Sequence, residues 1–361
     1  MKTGLAGILA VAAGMAAALQ VSAVDYVIEG RIDGCDGKTF YVYDYDVNQN
    51  IDSAIVADGK LYIAGSYDKN AFVRIEGGRY FSNCVLDTLA VIDFDTRWPS
   101  GGSEMNLRLR DLAAADNAIS DELNTFASEL ASHGFEGEEK GDMYKRLYDK
   151  RRPERIKLYT DAIIANDNGV GISAIMSLGN LWGLAPDEWD AVYTVMPADL
   201  KATRIALWFN DKFTNMRKTM QGMPFVDFEA QTSDGKPGKL SDYVGKGKWV
   251  LVDFWASWCG PCRSEAVEVL KPLFTRYGGR DDFEMLGVGI WDSTERLQST
   301  IVELGYQWPQ LFDPGTDLMT LYGFDYIPMI LLFAPDGTIF ARELRGDNLV
   351  KTVERALEGS N

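Results

Sequence analysis

Two cysteines separated by two residues, Cys259 and Cys262, are the part of the sequence best suited to chemistry. Gly260 and Pro261 lie between them, in the stretch WASWCGPCRSE over residues 255–265. A pair at this spacing can cycle between dithiol and disulfide, ligate a metal, or form a structural bridge. The residues around the pair and elsewhere in the chain distinguish between these three roles.

The metal and structural alternatives find little support. A zinc ribbon needs a second pair at the same spacing, but Cys35 and Cys84 are 49 positions apart. The chain has one histidine, His133, and Arg263 stands where a haem-attachment motif needs another. A bridge that closes so short a loop adds little stability. The Cys259–Cys262 pair is therefore predicted to be redox-active, without a metal and without a cofactor beyond its own disulfide.

The residues on either side of the pair predict a strand followed by a helix. KWVLVDFWA, over residues 248–256, is a continuous apolar run typical of a strand buried on both faces. A helix is indicated by apolar residues at helical spacing: Val267, Leu270, Leu273 and Phe274. Cys259 then falls at the helix N-terminus, where free backbone N–H groups favour a thiolate, and Pro261 suits the first turn. Cys259 is predicted to attack and Cys262, one turn later, to resolve.

The rest of the C-terminal region continues the pattern of an α/β domain. EMLGVGI, over residues 284–290, predicts a second buried strand, and Asp336–Gly337 predicts the turn of a later hairpin. A last helix is indicated by three apolar residues: Leu349, Val353 and Leu357. We therefore expect residues 222–361 to form one domain in the order strand, helix, strand, hairpin, helix.

Two regions of different character precede this domain. Residues 24–102 alternate short apolar runs with turns, among them Asp58–Gly59, and predict a small β-sandwich. Residues 103–221 are predicted to be a helical linker region, because apolar residues recur at spacings of four and three: Ile119, Leu123, Phe126 and Leu130.

The first residues predict export. Lys2 is followed by an apolar run from Leu5 to Leu19 and then by Val21-Ser22-Ala23, a small-x-small cleavage pattern. Residues 1–23 are therefore predicted to be a signal peptide, which would place the mature protein in the periplasm or otherwise outside the cytosol. The formal net charge of −17 argues against a nucleic-acid partner, since such binding depends on clustered lysine and arginine.

The motif and its surroundings resemble a known family. VLVDFWASWCGPC resembles the active-site strand and motif of thioredoxins. The region from Met223 onward is similar to the exported TlpA/ResA-like thiol–disulfide oxidoreductases, whose redoxin domain is related to the AhpC/TSA proteins. This resemblance implies an α/β thioredoxin fold at the C-terminus and catalysis by the Cys259–Cys262 couple.

The resemblance also implies roles for residues outside the motif. Asp253, six positions before Cys259, matches the buried acid that would take the proton of Cys262. A carboxyl group in so apolar a strand should have a raised pKa. Glu265 matches a second acid near the cysteines, and Met329 stands where the family usually has threonine. The residues implied to support the substrate groove are Trp258, Gly260, Pro261, Ile327 and Pro328, with the Ile327–Pro328 peptide bond cis.

The regions before the redox domain show a looser resemblance, to the β domain and extension of many Bacteroidetes-type exported proteins. The stretches VNQNIDSAIVADGKLYIAG and GGSEMN carry it. Such a region could select partners or act as a spacer. Cys35 and Cys84 lie in the β region, and export makes them candidates for a structural disulfide; two separate buried thiols are the alternative.

These observations predict an exported enzyme that reduces disulfides of other exported proteins, and the resemblance implies a membrane thiol electron donor that re-reduces it. The alternatives are a peroxiredoxin-like peroxidase and a surface binding module with a regulatory redox site. A peroxiredoxin places proline and threonine before a single peroxidatic cysteine. Phe254, Ala256 and Trp258 precede Cys259 instead, which favours the oxidoreductase.

Overall fold

The computed structural model describes residues 23–165, 168–313, 315 and 318–359. The predicted signal peptide, residues 1–23, lies outside these ranges apart from Ala23. The chain divides into two units, of which the first ends at Ser177 and the second begins at Leu178. Within the described ranges, no helix is long and apolar enough to cross a bilayer.

Eight strands form the first part of the first unit. They are β1 (Val24–Arg31), β2 (Thr39–Asp44), β3 (Gln49–Ile55), β4 (Lys60–Tyr67), β5 (Phe72–Gly77), β6 (Tyr80–Val85), β7 (Ala90–Ile92) and β8 (Pro99–Gly102). One sheet has the order β4-β1-β7-β8 and the other β3-β2-β5-β6. Ile28 from the first sheet and Val42 from the second belong to one shared apolar cluster, as in a sandwich. The predicted β-sandwich is confirmed.

Cys35 and Cys84 are both free thiols, so the structural disulfide considered for them is not formed. Cys35 is buried in the loop after β1, and Cys84 is buried on β6, where it pairs with Val73 of β5. Both cysteines belong to the apolar cluster of the sandwich and pack there as small apolar side chains. Burial raises the pKa of the Cys84 thiol, which keeps it in the unreactive neutral form.

Three helices follow the strands: α1 (Glu104–Ser132), α2 (Gly137–Ile164) and α3 (Asn168–Gly179). Ser103 caps α1 by accepting the N–H of Asn106. The Asn106 side chain in turn accepts the N–H of Val85 on β6 at 2.9 Å and donates to its carbonyl at 3.0 Å. Between α1 and α2, Arg155 Nε donates to Asp116 Oδ1 at 2.7 Å. These contacts tie α1 to the sandwich and α2 to α1.

Three further helices lie in the second unit: α4 (Pro186–Val195), α5 (Ala198–Lys201) and α6 (Arg204–Lys218). α6 buries Phe209 and Phe213, four positions apart, and the ring of Trp189 on α4 stacks on Phe213 with centroids 5.1 Å apart. Lys212 is buried on the same helix, and its Nζ donates to Asp325 Oδ2 at 2.5 Å. The predicted helical region is therefore present, and the division between the two units falls inside it.

A seven-stranded sheet forms the rest of the second unit. Its strands are β9 (Glu229–Thr232), β10 (Pro237–Lys239), β11 (Trp249–Trp255), β12 (Phe283–Gly289), β13 (Gln310–Phe312), β14 (Met329–Phe333) and β15 (Ile339–Ala341). Their order is β10-β9-β13-β12-β11-β14-β15. The helices are α7 (Gly260–Glu265), α8 (Lys271–Tyr277), α9 (Thr294–Leu304), α10 (Leu318–Tyr322) and α11 (Gly346–Glu358). A π-helical turn, Ala266–Leu270, joins α7 to α8, and Leu240–Asp242 is a 3₁₀ turn.

Strand β11 lies inside this sheet, parallel to β12 and antiparallel to β14, and every one of its residues is buried. Because side chains alternate along a strand, Leu251 and Trp255 join an apolar cluster with α8 and α11. Val252 and Phe254 join a second cluster with α10. The path β11, α7, α8, β12, followed by the β14–β15 hairpin and α11, is the thioredoxin fold implied by the sequence.

Candidate active site

The cysteine pair lies at the carboxyl end of β11. Cys259 caps the N-terminus of α7, and its Sγ accepts the N–H of Cys262 at 3.1 Å across the turn of Gly260 and Pro261. The two sulfurs form a disulfide, with Cα atoms 5.3 Å apart. Cys259 is 4% exposed, whereas Cys262 is fully buried. Cys259 is therefore the member of the pair that a substrate can reach.

The loop of Ile327 and Pro328 faces this pair. The Ile327–Pro328 peptide bond is cis, and the carbonyl oxygen of Ile327 lies 3.8 Å from Cys259 Sγ. The loop connects α10 to β14, whose first residue, Met329, pairs with Phe254 of β11. Adjacent strands thus bring together two segments that are 68 positions apart in the chain.

Asp253 on β11 is a buried carboxyl group at 3% exposure. Within the described residues its Oδ1 accepts no hydrogen bond. Burial, and after it the charge of Glu265, raises the pKa of Asp253 to about 8, while Arg345 opposes the rise. A carboxyl group with this pKa can accept or donate a proton near neutral pH.

Glu265 connects the active-site helix to the last helix of the fold. It ends α7 and is buried, its Oε1 accepting the N–H of Gly346 at 2.7 Å. Its Oε2 accepts Nε of Arg345 at 3.0 Å. These bonds hold the carboxylate at the N-terminus of α11, where the helix favours an anion. The charge of Glu265 therefore has a structural partner, and it also acts on Asp253.

An exposed aromatic pair adjoins Cys259. Trp258 is 56% exposed; its Nε1 donates to the carbonyl of Trp291 at 3.1 Å, and the two rings stack with centroids 6.4 Å apart. Trp291 has φ +56°, a conformation that is uncommon outside glycine. Asp292 Oδ2 accepts both the hydroxyl of Ser257 and its N–H, the latter at 2.8 Å. Although burial opposes it, these hydrogen bonds hold the pKa of Asp292 below its usual value.

Buried aromatic rings surround the strand that carries Asp253. The indole N–H of Trp255 donates to Gln310 Oε1 at 3.0 Å, and its ring meets that of Tyr306 edge-on at 5.1 Å. Tyr306 stacks on Trp308 with centroids 4.8 Å apart. Burial and the charge of Asp253 raise the pKa of Tyr306. Trp255 lies on the same face of β11 as Asp253, and this packing helps to keep the Asp253 carboxyl buried.

The structure brings most of the predicted residues together: Asp253, Trp258, Cys259, Gly260, Pro261, Cys262, Glu265, Ile327 and Pro328. Cys35 and Cys84 lie in the first unit. Sequence reasoning missed five residues that shape the site: Ser257, Trp291, Asp292, Gln310 and Arg345. Trp291 and Asp292 could have been predicted from the sequence, because they follow a buried parallel strand at its carboxyl end, where sheets of this kind form their binding sites. Gln310 and Arg345 could not, because only the folded chain brings them near.

The chemistry of the site is that of the sulfur pair. In the part of the chain that the structure describes, no group of three or more His, Cys, Asp or Glu side chains is placed to hold a metal ion. The arrangement can instead exchange two electrons through Cys259 and Cys262, with Asp253 and Glu265 as the nearby acids.

Residues 221–342 match the model of the AhpC/TSA family. The thiol-disulfide oxidoreductase ResA of Bacillus thuringiensis is 25% identical over 146 residues, which cover 40% of this chain and 82% of that protein. ResA of Bacillus subtilis is 24% identical over 131 residues, 36% of this chain and 71% of that protein. The thioredoxin domain of a thiol-disulfide oxidoreductase from Bacteroides vulgatus is 33% identical, covers 37% of this chain and 96% of that domain, and has a TM-score of 0.35.

Proposed function

From the premise that the C-terminal region is a ResA-like redoxin domain of the AhpC/TSA family and that the protein is a thiol–disulfide oxidoreductase, we propose that it reduces disulfide bonds of exported proteins. The observation that carries this proposal is the position of the pair. The Cys259–Cys262 disulfide sits at a helix N-terminus, and the reachable sulfur lies 3.8 Å from the carbonyl of Ile327.

The reaction starts from the dithiol form. The Cys259 thiolate attacks one sulfur of a substrate disulfide, which forms a mixed disulfide and releases one substrate thiolate. The Cys262 thiolate then attacks Cys259 Sγ, which forms the Cys259–Cys262 disulfide and releases the second substrate thiolate. The substrate gains two electrons and, once both thiolates are protonated, two protons, while the enzyme pair loses the same number.

Asp253 is the group that we assign to the proton of Cys262. A pKa of about 8 leaves a fraction of the carboxyl ionised at neutral pH, and that fraction can accept a proton from the buried thiol. The same group in its neutral form can return a proton when the reaction runs backwards. Glu265 then acts indirectly, through the pKa of Asp253 and the position of α11.

Export and the electron source belong to the proposal. The apolar run Leu5–Leu19 and the cleavage pattern Val21-Ser22-Ala23 support secretion. Outside the cytosol the oxidised pair has no direct access to NADPH-dependent reductases, so a membrane thiol donor has to restore the dithiol. The substrates are then disulfide-containing proteins of the same compartment.

A trapping experiment tests the proposal. In Cys262→Ser the resolving thiol is absent, so mixed disulfides on Cys259 should accumulate in cells and be identified by mass spectrometry. Cys259→Ser is the matched control, with one active-site thiol left at the wrong position, and should trap nothing. In vitro, the wild type should reduce insulin disulfides with dithiothreitol far faster than Cys259→Ser; equal rates would refute the proposal. Rapid catalytic turnover of hydrogen peroxide would instead support the peroxidase alternative.

A further inference from the structure

A cavity of about 270 Å³ lies beside the loop that faces the cysteine pair. Its floor is apolar and buried: Phe213, Phe324 and Met329 are at most 2% exposed. Its rim is open, since Trp182 is 50% and Tyr326 is 42% exposed. A buried apolar floor under an exposed aromatic rim is the usual anatomy of a small ligand site.

Two residues that line the cavity are close in sequence to Ile327, whose carbonyl contacts Cys259 Sγ. Tyr326 directly precedes Ile327, whose carbonyl lies 3.8 Å from Cys259 Sγ, and Met329 directly follows Pro328. Successive residues of an extended chain advance by about 3.3–3.6 Å. We therefore expect a polypeptide joined to Cys259 through its own cysteine to bring side chains one or two residues away to the Tyr326 side of the cavity rim.

More than half of the residues that line the cavity precede residue 221, where the region matched to the AhpC/TSA family starts. Trp182 belongs to the loop between α3 and α4, and Phe213 and Met216 belong to α6. Lys212 holds α6 to the cis-proline loop by donating to Asp325 Oδ2 at 2.5 Å. The cavity is thus built where the helical segment of this chain meets the redox domain.

The charges in the cavity wall balance in two pairs, Lys212 with Asp325 and Arg342 with Glu343, although Arg342 Nε makes no hydrogen bond within the described residues. Lys212 donates to Asp325 and to the carbonyl of Gly179 at 3.0 Å. Arg342 donates to the carbonyl of Thr219 at 2.8 Å and lies 3.6 Å from the carboxylate of Glu343. A charged side chain that entered would lose water and would find an opposite charge only by competing with one of these pairs, which is costly. The volume also falls just below the range of about 300–1,000 Å³ for drug-sized ligands, so it suits one large side chain.

We propose that this cavity is a specificity subsite for a large uncharged apolar side chain, placed one or two residues from the reactive cysteine of a polypeptide substrate. The inference rests on the proposed disulfide reduction and names the substrate feature that the helical segment selects. Trp182, Tyr326 and Met329 are its specificity-determining residues. Phe or Leu fills the space over the buried floor, Ala leaves it empty, and Asp is excluded.

The test measures kcat/KM for the reduction of synthetic disulfide-linked peptides by the wild-type protein. The peptides are identical except for Phe, Leu, Ala or Asp at each of the two positions on either side of the cysteine, and hydroxyethyl disulfide serves as a substrate without neighbouring residues. Phe or Leu at one position should raise kcat/KM roughly 10-fold or more over Ala, the size of effect expected when an apolar group fills a pocket. Asp at that position should give the lowest value.

Trp182→Ala should bring the Phe-to-Ala ratio close to one, and Trp182→Phe should largely restore it. Leu207→Ala is the matched control: Leu207 is an apolar residue of α6, 48% exposed and outside the cavity lining, so this variant should keep the wild-type ratio. Peptides that are all reduced at equal rates would overturn the subsite and leave the proposed function standing. Failure to reduce any peptide or hydroxyethyl disulfide would overturn both, and an undiminished ratio in Trp182→Ala would overturn the assignment to this cavity.

Discussion

Replacing Asp253 by asparagine should stabilise the oxidised second unit at neutral pH and leave its stability unchanged in acid. The pKa of this carboxyl is about 8 in the folded protein, mainly because it is buried. In the unfolded chain an aspartate ionises near its ordinary value of about 3.9. Between these two values the unfolded state releases a proton that the folded state retains, so ionisation favours unfolding.

The size of the effect follows from the width of this pH window. Each pH unit above the unfolded pKa adds about 1.36 kcal/mol in favour of the unfolded state until the folded pKa is reached. At about pH 7 the neutralised Asp253 therefore costs roughly 3–5 kcal/mol, and the cost levels off above about pH 8. Asparagine has nearly the shape of the protonated carboxyl and bears no charge, so Asp253→Asn should recover most of this free energy.

Urea unfolding followed by tryptophan fluorescence measures the difference. Every tryptophan except Trp98 follows Leu178 in the sequence, so the signal reports mainly on the second unit. The free energies of unfolding of wild type and Asp253→Asn should agree near pH 4 and diverge steadily toward pH 8. Asp281→Asn, which changes an exposed carboxyl before β12, is the control and should run parallel to the wild type. A constant difference between pH 4 and pH 8 would refute a raised pKa at Asp253.

Two further predictions concern the neighbouring acid and the free thiols. Glu265→Gln removes a charge that raises the pKa of Asp253 and leaves Arg345 free to lower it further. The destabilisation should still begin near the pKa of the unfolded aspartate, but it should level off at a lower pH than in the wild type, because the pKa of folded Asp253 is lower. The loss of a charged hydrogen bond should also cost about 1.5–3 kcal/mol of stability; levelling off at the same pH as in the wild type would contradict the coupling. Unfolding the oxidised protein without reductant should expose two thiols to a maleimide, Cys35 and Cys84. Labelling of neither would show that they are bridged.

Local sequence patterns predicted much of the fold correctly. The unbroken apolar run around Asp253 became the buried strand β11, and the turn predicted at Asp58–Gly59 has both residues at positive φ. Such features depend on neighbouring residues and can be inferred from them. The helix after the cysteines shows the limit, because Ala266 is buried where Val267 was expected and Val267 is 47% exposed. The π-helical turn at this point shifts the phase of the helix relative to regular α-helical spacing.

The parts of the site that depend on distant contacts were not predictable. Arg345 reaches Glu265 across 80 positions, and Lys212 reaches Asp325 across 113. Neither pair has a local pattern, since each forms only after the strands and helices have assembled. The place of Trp182 in the cavity wall could not be predicted either, because it depends on the cis-proline loop, which is far away in the sequence.

The edges of the seven-stranded sheet limit how strands of another chain can pair with it. Both edge strands, β10 and β15, have three residues, and β10 contains Pro237, which has no N–H, with Lys236 and Lys239 at its ends. Short edges with proline and lysine offer few backbone groups to a foreign strand. Pairing of a foreign strand with this sheet is therefore disfavoured at both edges. Under the proposed function, a substrate chain is held by its bond to the sulfur pair and not by extension of the sheet.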